Sequence, residues 1–307
     1  MKIVAKRIAQ LKGHDGAVYT VNQAPESNAF LSAGSDKMVV EWSLETNKPI
    51  HVLARTPGVI YCTCLIPEYN LLLVGNDQGG IHVIDLVKKA EVRYLLGHTK
   101  GVYSLSWNAL TEQVYSSGGN GHWVSWSVHD FHAVKSMILS EKKIRTVAIS
   151  ENQKLVAIGT GEGSIVLLNS SNLEVVHKWK AHEMSVNSLC FHPNGTSLLS
   201  GSKDAHLKSW DIEEDFRLLV SIPAHNYAIY SIVFHPNKQL FATGSRDKTI
   251  KIWDANSCEF LLRIDAAQFQ GHINSVNSLH WSSHKNFLIS GSDDRSVMVW
   301  EIGTGIE

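Results

Sequence analysis

The chain has 307 residues, with 28 lysines and arginines against 29 aspartates and glutamates and a formal net charge of −1. That balance disfavours nucleic acid or an anionic membrane as a bulk electrostatic partner. No apolar run approaches the roughly 18–20 residues of a membrane-spanning helix, and a hydrophobic content of 44% is ordinary for a globular fold.

The chain opens MKIVAKRIAQL, with charges at Lys2, Lys6 and Arg7 and no apolar core long enough for a signal peptide. Residues 3–10 read instead as a strand leading into Lys12-Gly13-His14. From His14, steps of 18, 22 and 28 residues reach Ser32, Asp36 and Trp42. The same steps from His98 reach Ser116, Asn120 and Trp126, and from His182 they reach Ser200, Asp204 and Trp210. His225 leads to Thr243, Asp247 and Trp253, and His272 to Ser290, Asp294 and Trp300. Midway between the widely spaced histidines stand Thr56 and Ser140. From Thr56 the steps fall on Val74, Gln78 and Ile84, and from Ser140 on Ile158, Glu162 and Leu168. A fixed internal period of this size marks a repeat architecture. Seven units follow, spanning 14–54, 56–96, 98–138, 140–180, 182–223, 225–269 and 272–301, in one domain over 1–307.

Within each unit, stretches such as Val18-Tyr19-Thr20-Val21 and Ile229-Tyr230-Ser231-Ile232 alternate as half-buried strands do. Turns such as His192-Pro193-Asn194-Gly195 and Gly201-Ser202-Lys203-Asp204 separate the first three strands, and a fourth runs toward the next histidine. Four short antiparallel strands with no helix make one blade of a propeller. The expected fold is all-β, a seven-bladed β-propeller. The last unit stops soon after Trp300 and lacks a fourth strand of its own. The N-terminal strand 3–10 is expected to supply it, closing the ring and hiding two edges. An insertion at 265–270 lengthens the last step.

These residues carry a family likeness. Gly13-His14, Gly97-His98 and Gly271-His272, with Trp210-Asp211 and Trp253-Asp254, make the chain resemble the WD-repeat β-propellers over nearly its whole length. The resemblance implies that the recurring side chains form a chain of hydrogen bonds. The Trp indole would donate to the hydroxyl, the hydroxyl to the imidazole, and the other imidazole N–H to the carboxylate. Blades two and four lack the His, hydroxyl and Trp together, which fits apolar replacement of a network whose isolated members would be costly to bury. Blade three has the uncharged Asn120 in place of the acid. These three are expected to be the softer blades.

The resemblance also implies a partner-binding face at the channel mouth, with two stations per blade. The first holds Tyr19, Tyr61, Tyr103, Arg145, Asn187, Tyr230 and Asn277; the second holds Ser35, Asp77, Gly119, Gly161, Lys203, Arg246 and Asp293. Three tyrosines flanked by Asp77 and Asp293 face a basic group of Arg145, Lys203 and Arg246, with Lys143 close by. Tyr and Arg are frequent interface anchors, although Tyr is also simply a good strand residue. The expected function is a non-catalytic scaffold for a protein or peptide segment, its acidic part on the basic group. A small-molecule or enzymatic propeller using the channel is the alternative, and nucleic-acid recognition through the basic half is a third.

No catalytic or metal chemistry is expected. Sixteen histidines show no ligand spacing such as HExxH, and the Ser, His and Asp of each intact unit belong to the structural chain rather than to a triad. Gly159-Thr160-Gly161-Glu162-Gly163 opens no helix and so reads as a turn, not a phosphate cradle. Cys62, Cys64, Cys190 and Cys258 form no CxxC pair and read as free thiols of a reducing compartment. The expectation is a cytoplasmic chain, monomeric on its own, with no cofactor and no membrane.

Overall fold

The computed structural model describes residues 2–236 and 239–305. Residues 1, 237–238 and 306–307, which fall inside the expected domain span, lie outside the described residues. Among the described residues there are seven four-stranded antiparallel sheets, and the fold is the seven-bladed all-β propeller. Packing divides the chain into two compact units: residues 1–60 with 229–307 hold blades one, six and seven, and residues 61–228 hold nearly all of blades two to five.

Blade one shows the plan. Val18–Gln23 is the inner strand, followed by Ala29–Gly34, Met38–Ser43 and the outer strand Lys48–Arg55. The second strand is buried at every position, while most of the outer strand is exposed. The same holds for Leu240–Ser245 in blade six and Phe287–Ser292 in blade seven, also buried throughout. Such strands have packing on both sheet faces, so they read as continuous apolar runs rather than the alternation expected of half-buried strands.

Blade seven is made of Val276–Trp281, Phe287–Ser292, Ser296–Gly305 and the N-terminal Lys2–Lys12, in that spatial order. The N-terminal strand runs from Lys2 opposite Gly305 to Lys12 opposite Ser296, slightly longer than the expected 3–10. Ile3 and Leu11 are buried within it. The insertion after blade six forms a one-turn helix, Ala266–Phe269, where no helix was expected. Asp265 caps it by accepting the Gln268 N–H at 2.9 Å.

The recurring polar side chains lie within hydrogen-bond distance of one another. In blade one, Trp42 Nε1 donates to Ser32 Oγ at 2.7 Å, and the two His14 ring nitrogens lie 2.6 Å from Ser32 Oγ and 2.6 Å from Asp36 Oδ2. Blade seven repeats this with Trp300 to Ser290 at 2.9 Å, and His272 2.8 Å from both Ser290 and Asp294. In blade five Trp210 donates to Ser200 at 2.8 Å, and His182 lies 2.8 Å from Ser200 and 3.1 Å from Asp204. Blade three has Trp126 to Ser116 at 2.8 Å, His98 to Ser116 at 2.8 Å and a longer 3.2 Å approach to Asn120. In blade six Trp253 donates to Thr243 at 2.9 Å, and His225 is buried. The glycine before the histidine has a steric reason: a Cβ on Gly97 would stand 2.3 Å from the Trp126 ring.

Blades two and four are less apolar than expected. Val74, Ile84, Ile158 and Leu168 are buried at the hydroxyl and Trp positions. Blade two, however, builds a different polar chain. Asn76 Nδ2 meets His82 Nε2 at 3.1 Å, and His82 Nδ1 meets Glu91 Oε2 at 2.9 Å. Its histidine stands on the third strand, Gly80–Asp85, instead of on the incoming loop. Blade four keeps a shortened link in which Ser140 Oγ donates to Glu162, whose other oxygen accepts the Lys142 N–H at 3.0 Å. A serine thus holds the turn carboxylate where other blades use a histidine.

Candidate functional site

Among the described residues, five inner strands carry a bulge at one and the same station. The pairing register skips Tyr19, Tyr103, Asn187, Tyr230 and Asn277. A bulge leaves its extra residue out of the ladder and re-aims the side chain. At these five positions the first of the two expected stations is a feature of the backbone, whereas Arg145 precedes its strand, Thr146–Ile149, whose pairing shows no such skip.

A second recurring offset lies beside the first. The next residue along is a hydroxyl in most blades, and at four of them it bonds to the neighbouring blade. Ser104 Oγ accepts the Val147 N–H at 3.2 Å and Thr146 Oγ1 accepts the Leu189 N–H at 3.2 Å. Ser231 Oγ accepts the Leu279 N–H and Ser278 Oγ the Val21 N–H, each at 3.1 Å.

In blades two to five the station residues make a connected surface. The Tyr61 and Tyr103 rings stack with centroids 5.0 Å apart and planes 16° from parallel. The Arg145 guanidinium lies 5.0 Å from the Tyr103 centroid and the Lys143 ammonium 5.8 Å from it. Burial holds the Lys143 pKa below its ordinary value, and the positive charges of Arg145 and Lys203 push it further down. Gly101 allows the close fit beneath the stack. A Cβ there would stand 2.9 Å from the Tyr61 ring and 3.1 Å from Asp77 Cα. Lys203 is exposed, and Asn187 is buried with its carbonyl accepting from Ser185 Oγ at 3.0 Å.

In blades one, six and seven the station is tied by an amide–carboxylate contact. Asn277 Nδ2 donates to Asp293 Oδ1 at 2.7 Å and to the Val18 carbonyl at 3.0 Å. Burial raises the Tyr19 pKa, and the Asp293 charge raises it further. Tyr230 is half-buried and Arg246 exposed. The structure thus brings Tyr61, Tyr103 and Arg145 into one contact group with Lys143, and couples Tyr19 to Asp293.

The hydroxyls of the repeating chains are not placed as nucleophiles. Ser32, Ser116, Ser200 and Ser290 are fully buried and each accepts an indole N–H. His132 pairs with Asp130 at 2.6 Å and His129 with Glu112 at 3.1 Å. Among the described residues no group of three or more His, Cys, Asp or Glu is placed to hold a metal ion. No described helix is long and apolar enough to cross a membrane. The cysteines are free, and burial pushes the Cys64 thiol up to about 12 and the Cys258 thiol up to about 11.

The comparisons agree with this architecture. The family model for the WD domain, G-beta repeat, matches residues 5–43, 89–127, 173–211, 216–254 and 265–301. The chain is 25% identical over 227 residues to a guanine nucleotide-binding protein subunit beta of Zea mays, covering 68% of this chain and 59% of that protein. It is 22% identical to the WD repeat-containing protein ATCSA-1 of Arabidopsis thaliana, covering 96% of this chain and 74% of that protein. It is 27% identical to a ribosome biogenesis protein WDR12 homolog of Trichoplax adhaerens, covering 70% of this chain and 47% of that protein. Four of the five matched segments begin in or just before the outer strand of one blade and end in the third strand of the next, the same offset by which the N-terminal strand completes blade seven; the fifth begins at residue 265, just after the outer strand Phe260–Ile264. Five matched repeats, with seven blades in the fold, show that the chain belongs to the WD-repeat family.

Proposed function

We propose that this chain is a non-catalytic interaction scaffold that seats an extended protein segment along Tyr61, Tyr103, Arg145 and Lys203. The observation that carries the reading is the Tyr61–Tyr103 stack with Arg145 against its end. Two aromatic faces supply apolar contact at low conformational cost. The cations beyond them, Arg145 and Lys143 against the Tyr103 ring and the exposed Lys203, favour an acidic group on the ligand. A segment with an apolar residue followed by acidic ones fits both parts. The relatives' names point the same way: one is a subunit of a larger protein and another a ribosome biogenesis protein. Cysteines that form no disulfide suit work in a reducing compartment such as the cytoplasm.

Affinity capture from the native cell tests this, with wild type beside the Arg145→Glu/Lys203→Glu variant. A partner held by the wild type and lost by the double reversal is expected. A partner set that is the same for both proteins overturns the placement.

A further inference from the structure

We infer that blades two and three carry a second docking surface, at the opposite end of the same strands, that takes an arginine-bearing segment of a partner protein.

The two inner strands fix the geometry. Tyr61 stands near the start of Ile60–Ile66 and Tyr103 near the start of Val102–Asn108. Trp107 lies near the far end of the latter strand, four residues on, or roughly 13 Å along it. Glu68 and Tyr69 follow the former strand in the 3-10 turn Pro67–Tyr69, which Asn70 ends in a left-handed conformation. Glu112 occupies the turn after the inner strand of blade three, and His129 the turn after its third strand, so all five residues meet at one end.

Their contacts cross between the blades in both directions. Tyr69 of blade two donates its hydroxyl to Glu112 of blade three at 2.8 Å. Trp107 of blade three donates its indole N–H to Glu68 of blade two at 3.1 Å. His129 Nε2 lies 3.1 Å from the other Glu112 oxygen. The Tyr69 ring stands edge-on to Trp107 and to His129, each with centroids 6.0 Å apart. Leu110 is exposed nearby on the same turn as Glu112. Beyond the cluster, Lys88 is held by Asp85 at 3.1 Å.

Two features point to a cation. Neither Glu68 nor Glu112 has a lysine or arginine within ion-pair range among the described residues; their partners are a phenol, an indole and an imidazole. Hydrogen bonds from Tyr69 and then His129 hold the Glu112 carboxyl below its ordinary pKa, so it is charged wherever the protein is folded near neutrality. Exposed hydrogen bonds add little net stability, but these fix two carboxylates beside two aromatic rings before anything binds, which lowers the ordering cost of association. A guanidinium suits such a place because it meets carboxylates with a planar fork and lies against aromatic faces. Lysine satisfies only the charge. A nucleic acid would meet carboxylates here and be repelled.

The test uses short synthetic peptides carrying one leucine and an increasing number of arginines, with matched glutamine and glutamate series. Binding to the full chain is read by fluorescence anisotropy. The key variant is Glu68→Gln/Glu112→Gln, whose carbonyl oxygens still accept from Trp107 and Tyr69 while the charge is gone. The expected result is affinity that rises with arginine number, falls at least about tenfold in the double variant and is unchanged by Arg145→Glu. No binding of the arginine series at millimolar peptide overturns the proposal, as does equal binding by the double variant. Loss through Arg145→Glu instead would move the affinity to the other end of the blades and also overturn it, leaving the first surface standing.

Discussion

The guanidinium of Arg145 stands 5.0 Å from the centre of the Tyr103 ring, and that ring is stacked on Tyr61. The three side chains come from three successive blades, so the contact is a consequence of the repeat placing one station beside the next. A cation over a half-exposed ring contributes only about 0.5–1 kcal/mol to stability. Tyr103→Ala is therefore expected to leave the melting temperature nearly unchanged while abolishing capture of the native partner. Thermal unfolding and capture, run on the same preparation, check both halves.

Thr146 gives the opposite expectation. Its hydroxyl is buried and accepts the Leu189 N–H across a blade junction. Thr146→Val keeps the shape and strands that donor, which costs about 1–3 kcal/mol. Urea unfolding is expected to show the loss, and partner capture is expected to be unaffected.

The repeating network was legible because its four members keep constant offsets, and constant offset is what a one-dimensional search detects. The closing strand was legible from a deficit: the last unit ran out before its fourth strand. The same logic could have found the hydroxyl row formed by Ser104, Thr146, Ser231 and Ser278, which stands one residue beyond the bulge station. It went unread because serine and threonine are common in strands and nothing in the sequence reveals a bond between blades. Blade two was misjudged because His82 stands on a strand and bonds to Asn76 and Glu91, none of which occupies the expected offset. The pairing of Glu68 and Tyr69 with Trp107 and Glu112 lies further still from the one-dimensional pattern, since it joins turns of different blades whose residues share no period.

His82 makes that misjudgement testable. It is buried between Asn76 and Glu91, with the Tyr94 ring 4.7 Å away. His82→Leu would leave the Asn76 amide facing an apolar group. A loss of about 1–3 kcal/mol is expected, against near-neutrality if blade two were simply apolar at this point. Chemical denaturation of the variant distinguishes the two.

His98 in blade three should contribute to acid sensitivity. Burial lowers the His98 pKa from 6.5 to about 4, and the uncharged Asn120 compensates only in part. In the unfolded chain the ring protonates near 6.5, whereas in the folded chain it stays neutral until about 4. Between those values the unfolded state binds more protons, so stability is full above 6.5 and is lost as the pH falls toward 4. The loss from this one group amounts to about 3 kcal/mol. His280, lowered to about 4 by burial, and His182 act in the same direction. Asn120→Asp isolates the His98 share. A carboxylate there favours the imidazolium, so the variant should lose less stability between pH 6.5 and 4. An unchanged slope in denaturation across that range would show that His98 does not titrate as described.

Removal of the N-terminal strand should be the most damaging single change. Lys2–Lys12 is paired along its length with Ser296–Gly305, and it buries Ile3 and Leu11. Arg7 further ties the strand to the insertion after blade six, its Nη2 donating to Gln270 Oε1 at 2.8 Å. Burying two aliphatic side chains of this size contributes about 1.5–3 kcal/mol each, before any loss of ladder hydrogen bonds. Deleting residues 1–12 also uncovers a long strand edge, the kind of edge that recruits another chain. The truncated protein is expected to melt at a clearly lower temperature and to associate in a concentration-dependent way by light scattering. Adding the excised segment as a free peptide should raise the melting temperature and suppress that association. Melting at the full-length temperature would mean that the blade stands without its fourth strand.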